Sequence, residues 1–366
     1  MPVDYNLVDE LAAQVAGIYG TAELALVERI SRRLAAGLGE SDWAARKLRE
    51  VRAVRRAAQL VADELETNGS AALRQAVAEG YRAGSNSAVV DLAERLVGDT
   101  GPTARGASER GSRAVQALAD ALVREVRPLH LAIVSAAESA YRQAIADATA
   151  RTLTGVQDRR RAAQDAWAAL VSQGVTRFTD TSGRQWRLHT WVEMATRTST
   201  ARAATKGLTD GLLAAGEYHV YVTDTPGECS ICRPWEHLVL DLRARAVHPA
   251  VATLEAARAA GLLHPNCRHG VARWIPGTRL SRTTADPAGN AARDRQRAIE
   301  RHLRHWRERE AAALTPDGTT YARKRVDAWL GEMQRHLDAN PGLPRLLYRE
   351  HIGAGHTTPP RRRGSS

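Results

Sequence analysis

The chain has 366 residues, of which 43% are apolar and 25% charged, and its formal net charge is +11. This length allows two or three domains, or one globular domain with an extended arm. The apolar runs are too short to span a bilayer, three cysteines cannot form a paired disulfide framework, and the start, MPVDYNLVDELAAQ, lacks the basic region of a secretory signal. We therefore expect a soluble protein made in a reducing compartment, with no membrane partner.

The positive charge is carried almost entirely by arginine, and it favours polyanionic partners such as nucleic acid or an acidic protein surface. Arginine and glutamate alternate along most of the chain, which is also typical of an ordinary solvated surface. Contact with DNA through the arginine-rich helices and tail therefore remains one of two interpretations of this charge.

Residues 1–172 are predicted to be almost entirely helical. Apolar residues recur at helical spacing from Val51 to Leu65, and the Asn68-Gly69 pair then predicts a helix C-cap. A second stripe runs from Val115 to Ile133 and contains Pro128, which predicts a kink or a split. Residues 98–106, GDTGPTARG, predict a loop. The long alanine-rich pattern favours an elongated helical arm or bundle, with an ordinary helical domain as the alternative.

Residues 173–278 predict a small α+β core domain. VTRFT and RQWRL flank a turn at Asp180 to Gly183, which is a hairpin signature. A helix from about Thr190 to Ala214, a strand at 219–224, a helix at 250–260 and a final strand in GVARWIPG complete this part. The fold class predicted for the whole chain is α+β, predominantly α.

Residues 279–351 predict a C-terminal pair of helices, at 290–313 and 318–339. Ile299, Leu303 and Trp306 fall on one face of the first, densely charged helix. The tail, residues 352–366, is rich in proline and arginine and is predicted to be disordered.

All three cysteines of the chain fall into two spaced pairs with a histidine. Cys229 and Cys232 form a C-x2-C pair, and His264 and Cys267 form an H-x2-C pair. Four such ligands at one point are what tetrahedral zinc requires. The sequence therefore predicts a Zn²⁺ site, and because four ligands are already present, a structural site is favoured over a catalytic one.

Other residues compete for this role. His237, His248 and His269 lie nearby, and His237 and His269 are possible alternative metal ligands. Glu228 and Glu236 flank the first pair and could serve an enzyme as a base, although we expect a solvated role for them. Three unrelated cysteines are the plain alternative to a metal site.

The order of four stretches resembles that of a known family. They are TRFTDTSGRQWRL with HTWVEMATRT, HVYVTDT with ECSICRPWE, GLLHPNCRHGVARWIPG, and RDRQRAIERHLRHWRERE with the later LLYRE. In this order they resemble the phage minor capsid proteins of the minor capsid protein 2 type, which are related to phage head-morphogenesis proteins. The likeness covers roughly residues 173–350.

The resemblance implies a non-enzymatic structural or assembly component of a phage or prophage head. It implies portal and capsid proteins as partners, and location in the virion after assembly in the host cytoplasm. The alternatives are a zinc-dependent hydrolase, nuclease or toxin-like domain, and a host nucleic-acid regulator. No catalytic residue is assigned.

Overall fold

A computed structural model describes residues 5–96, 105–224, 230–265, 267, 269–278 and 287–352. These residues fold into two compact units, each built from three separate stretches of chain. Unit 1 comprises Met1–Ala12, Ala71–Glu125 and Glu193–Ala291, and unit 2 comprises Ala13–Ser70, Val126–Val192 and Ala292–Ser366. The four-part linear division expected from the sequence stays a prediction.

Helices dominate the described chain, and six short strands accompany them. The helices are α1 (Tyr5–Ala35), α2 (Trp43–Arg49), α3 (Val51–Glu64), α4 (Ser70–Leu96), α5 (Arg105–Leu153), α6 (Arg159–Gln173), α7 (Leu188–Ala214), α8 (Leu254–Ala259), α9 (Pro287–Ala311) and α10 (Pro316–Ala339). The strands are β1 (Phe178–Thr179), β2 (Gln185–Trp186), β3 (His219–Val222), β4 (Val239–Asp241), β5 (Ala252–Thr253) and β6 (Val271–Arg273). The predicted α+β, predominantly α class is confirmed.

Unit 1 contains a four-stranded sheet in the order β5-β4-β3-β6. β3 is central and antiparallel to both β4 and β6, while β5 runs parallel to β4. Val220 and Val222 of β3 are fully buried, and His219 and Tyr221, which point to the other face, are partly exposed. One face of the sheet therefore carries the core of this unit.

In unit 1, α4 and α7 meet with little more than backbone between them. A Cβ on Gly84 would lie 1.8 Å from the carbonyl oxygen of Ala204, and one on Gly207 would lie 2.2 Å from that of Tyr81. Both distances are far shorter than any Cβ contact allows, so glycine is required at each position. This contact brings the α7 backbone against α4 along the length of their crossing.

An adjacent face of α7 packs on the sheet and forms the main core of unit 1. That core joins helix, strand and loop residues: Ala88, Ala204, Leu208, Leu212, Val220, Val222, Cys232, Leu240, Leu254, Ala257, Leu262, Cys267 and Val271. Two cysteines thus belong to the same apolar cluster as α7, which places any site they form under this helix.

Gly84→Ala is expected to lower the free energy of unfolding by about 2 kcal/mol or more, because the added methyl group must push the two helices apart. Gly331→Ala in α10 is the matched control, since its Cβ would meet only the Arg335 Nη1 atom, at 3.5 Å. There the gain in helix propensity should raise stability by about 0.5–1 kcal/mol. Urea denaturation followed by circular dichroism measures both, and equal shifts would contradict the close contact.

Unit 2 is organised by large side chains that anchor on α1. Trp43 is buried, and its Nε1 donates to the carbonyl oxygen of Leu34 at 2.9 Å. Trp167 is also buried, and its Nε1 donates to Ser31 Oγ at 2.8 Å. A buried indole N–H needs such an acceptor, so these bonds set the positions of α2 and α6 against α1.

The helix end predicted at Asn68-Gly69 is wrong. Residues Leu65–Gly69 form a π-helical turn, and the chain continues from it directly into α4. Gly69 serves close packing here, because a Cβ on it would lie 2.7 Å from the hydroxyl oxygen of Tyr19. That hydroxyl also meets His130 Nε2 at 2.9 Å, and His130 Nδ1 lies 3.0 Å from Glu66 of the π turn.

The split predicted at Pro128 is also absent, since α5 runs through this residue from Arg105 to Leu153. Proline removes one hydrogen bond within a helix. The flanking residues Val126, His130 and Ile133 are buried, and their packing offsets that loss. The predicted loop at 98–106 lies outside the described residues except for its last two, which begin α5.

The remaining element predictions are confirmed with small changes of boundary. β1 and β2 form the expected antiparallel hairpin, with Phe178 opposite Trp186. The helix predicted from about Thr190 begins at Leu188, and the two C-terminal helices are α9 and α10. The predicted tail lies almost wholly outside the described residues. No helix in the described ranges has the length and apolar character needed to cross a membrane.

The C-terminal segment folds back on α9 through a buried carboxylate. Glu350 is fully buried, and its two oxygens accept from Arg345 Nε at 2.6 Å and Nη2 at 2.9 Å. Arg307 Nη1 donates to the Glu350 carbonyl oxygen at 2.8 Å. Burial raises the pKa of nearby Glu300 from its ordinary 4.5 to about 6, because Arg349 and Arg304 offset the desolvation only in part.

Glu300→Gln is expected to stabilise the protein at pH 7 by about 2 kcal/mol. Since folding raises this pKa, ionisation of Glu300 costs stability as the pH rises from 4.5 to about 6, and the cost is absent below 4.5. The gain should therefore vanish at pH 4. Glu332→Gln removes an ion-paired carboxylate and should give no gain at pH 7. Urea denaturation at pH 4, 5, 6 and 7.5 measures this, and a gain that persists at pH 4 would contradict it.

Candidate metal centre

Three of the predicted ligands come together in unit 1 from two loops. Cys232 precedes the short 3-10 helix Arg233–Trp235 between β3 and β4. His264 and Cys267 lie between α8 and β6, in a turn closed by the Cys267 N–H donating to the His264 carbonyl oxygen at 3.0 Å. Leu263 just before the turn has a φ of 59°, in the left-handed region. These loops converge at the edge of the apolar core under α7.

The spacing of the donor atoms fits a metal ion. The Sγ atoms of Cys232 and Cys267 are 3.4 Å apart, much farther than the roughly 2.05 Å of a disulfide. The ligand atoms of these two cysteines and of His264 all lie within 4.8 Å of one another. Bonds of about 2.3 Å to sulfur and 2.0–2.1 Å to nitrogen can be made from one point among them. The three residues are therefore close enough to bind one metal ion.

His264 has the support that a metal-ligating histidine commonly has. Its Nδ1 lies 2.8 Å from the carbonyl oxygen of Pro265. When Nδ1 carries the proton and donates to this oxygen, the lone pair is on Nε2, which is then the ligand atom. The carbonyl thus favours the tautomer in which Nε2 carries the lone pair.

His269 is not a surface residue, since it is only 1% exposed. Its Nδ1 lies 3.5 Å from Cys267 Sγ, and its Nε2 lies 2.6 Å from Glu236 Oε1. The expectation that Glu236 is solvated is wrong, because its side chain is only 10% exposed and holds this imidazole. No spacing rule pairs residues 33 positions apart, so sequence reasoning missed this contact.

The polar groups around Cys267 favour its thiolate form. Burial alone would raise the pKa of Cys267, but hydrogen bonds from the His269 ring, the His269 N–H and Cys232 outweigh it and lower the pKa. Burial would likewise lower the pKa of His269, and its bonds to Cys267 and Glu236 raise it instead. A thiolate is the form that binds metal, and the neighbouring His269 ring stabilises that form of Cys267.

The site has little room for a substrate. The recess lined by His264, Cys267 and His269 holds about 10 Å³, which is space for about one water molecule. Cys267, His269 and Glu236 follow the order of a nucleophile, a base and an orienting acid. Their burial and the small recess favour a structural role for them.

The other predicted residues are placed as follows. Cys229 and Glu228 lie outside the described residues. His237 lies apart from the three-residue group, with its Nε2 3.7 Å from Asp224 Oδ2. His248 is exposed and precedes a cis peptide bond to Pro249.

A family model for phage minor capsid protein 2 matches residues 4–338 of the chain. The chain belongs to this family. The resemblance noted over residues 173–350 is confirmed, and the match also takes in the helical N-terminal part, where no diagnostic motif was found. No curated protein and no solved structure matches the chain. Membership identifies a phage minor capsid protein, a structural component of the head.

His264→Asn is expected to reduce metal binding by the full-length protein by about tenfold or more, because it removes one of the three ligand residues that lie within reach of one ion. His237→Asn is the matched control. Asparagine tolerates the positive φ of 66° at this position, and binding should be retained. Competition with a chromophoric chelator measures both affinities, and a loss confined to His237→Asn would move the site to that residue.

Proposed function

We propose that this minor capsid protein is a structural assembly component of a phage head that contacts portal and capsid proteins, and that its Cys/His centre holds a structural Zn²⁺. The observation that carries this proposal is the family match over residues 4–338. Location in the virion, after assembly in the host cytoplasm, follows from the same proposal.

Zinc suits the donor set better than a hard cation does. Two cysteine sulfurs and one imidazole are soft or borderline ligands, whereas Mg²⁺ and Ca²⁺ prefer oxygen. A fourth ligand completes a tetrahedral structural site. Cys229 supplies it in the proposed arrangement, and His269, held by Glu236, is the alternative.

The proposed role of the metal is to join two loops that the small sheet cannot hold by itself. Cys232 follows β3, and His264 and Cys267 precede β6, so a shared ion would cross-link the approaches to both strands. When bound, Zn²⁺ supplies bonds to these side chains and stabilises the folded state by mass action. The residues do no chemistry on a substrate in this proposal.

Purified full-length protein is expected to contain about one zinc per chain, and Cys232→Ser should remove it and lower stability by about 2 kcal/mol or more. Elemental analysis and thermal denaturation measure the two effects. X-ray absorption distinguishes three sulfur ligands, which would include Cys229, from two. A folded, zinc-bound wild type whose Cys232→Ser variant loses nuclease or hydrolase activity but not stability would favour the enzyme alternative.

The role in the particle is tested separately by mass spectrometry of purified virions and by co-purification with the portal protein. The chain is expected in mature or immature heads, and heads from a phage that lacks the gene should assemble defectively. Normal, infectious particles without this protein would contradict the proposal, whatever the metal content.

A further inference from the structure

The α9–α10 pair, which the metal centre does not use, exposes an aromatic surface. The ring of His302 lies parallel to that of Trp329, with centroids 4.0 Å apart and an angle of 6° between planes. His302 is exposed. Tyr321 is 56% exposed and meets Trp306 edge to face at 5.6 Å. Aromatic rings of this helix pair are therefore accessible at the surface at His302 and Tyr321.

Cations surround these rings. The guanidinium groups of Arg309 and Arg325 lie 4.7 Å and 5.0 Å from the centre of the Trp306 ring. Arg301, Lys324 and Arg325 are exposed, and none of them has a carboxylate partner among the residues that the structure describes. Stacking holds Arg309 and Arg325 in place without neutralising them.

Two glutamates of this helix pair are already engaged. Glu332 pairs with Arg295 and Arg335, both at 2.7–2.8 Å. Glu310 pairs with Arg323 at 2.8 Å. Glu332 and Glu310 therefore leave the cations named above available to an external anion. Asp327 of α10 is exposed and has no ion pair among the residues that the structure describes.

Burial and nearby arginines lower the pKa values of two histidines on α9. Burial first, and then Arg301, Arg295 and Arg325, lower the pKa of His302. Burial and then Arg187 and Arg309 lower the pKa of His305 to about 4. Both imidazoles are therefore neutral at pH 7, and His302 presents an uncharged ring within a positive field.

We propose that this α9–α10 surface, formed by Arg301, His302, Arg309, Tyr321, Lys324 and Arg325, binds nucleic acid through its phosphodiester backbone. Unpaired cations attract phosphates, and exposed rings offer stacking faces to unpaired bases. An acidic peptide would use the cations alone, so the combination favours nucleic acid. The proposal goes beyond the assembly role and does not depend on the metal centre.

The test measures anisotropy of labelled DNA with the full-length protein over a salt series, using a duplex and a single strand of equal length. Arg301→Gln/Arg325→Gln should weaken duplex binding about tenfold at low salt and reduce the slope of log K against log salt by about 1.8. If that variant is misfolded by circular dichroism, Arg301→Gln alone should reduce the slope by about 0.9.

Arg52→Gln/Arg56→Gln is the matched control, because it removes two exposed arginines of α3 that have no neighbouring aromatic stack. Its affinity should stay within about twofold of the wild type. His302→Ala should weaken single-strand binding and leave duplex binding unchanged, because it removes a stacking face but no charge at pH 7.

Three outcomes would overturn the proposal. The first is no DNA binding by the wild type at low salt. The second is an equal loss in the α9–α10 and α3 double variants, which would assign binding to net charge alone. The third is poly-glutamate binding as tightly as DNA of equal charge, which would make an acidic protein the partner. Unchanged single-strand binding by His302→Ala would overturn the stacking role of that ring.

Discussion

The backbone contact between α4 and α7 is the constraint on which unit 1 depends. Glycine at positions 84 and 207 lets the two helices approach until backbone meets backbone. With α7 held there, its adjacent face presents Leu208 and Leu212 to the sheet. The core that results joins α7 to the buried valines of β3 and to Cys232 and Cys267.

The position of two cysteines in this core suits the structural role proposed for the Cys/His centre. Cys232 and Cys267 belong to the same cluster as Leu208 and Leu212, so the centre lies at the margin of the core and not in an open cleft. Cross-linking loops at such a margin can supply stability that a four-stranded sheet of very short strands lacks. The contact between buried His269 and Glu236 is a further link between the same two loops.

Unit 2 achieves its stability differently. Large buried side chains such as Trp43 and Trp167 fill it, and each satisfies its indole N–H on α1. Arginine has two roles in the C-terminal part of this unit. Arg345 and Arg307 hold the buried Glu350 inside the fold, whereas Arg301 and Arg325 are left facing solvent. A head protein with a formal charge of +11 thus uses the same residue type for internal support and for an outward-facing surface.

Local patterns in the sequence were enough to predict most helices, the β1–β2 hairpin and the two spaced pairs that contain Cys232, His264 and Cys267, because each depends on periodicity or on spacing between near neighbours. Tertiary structure alone decided the rest. Gly69 is a packing position and not a helix end, because Tyr19, 50 residues away, lies over it. Glu236 reaches His269 across 33 residues only because two loops converge under α7. A sequence pattern does not show which distant parts of the backbone come into contact. Those contacts decide which side chains share a site.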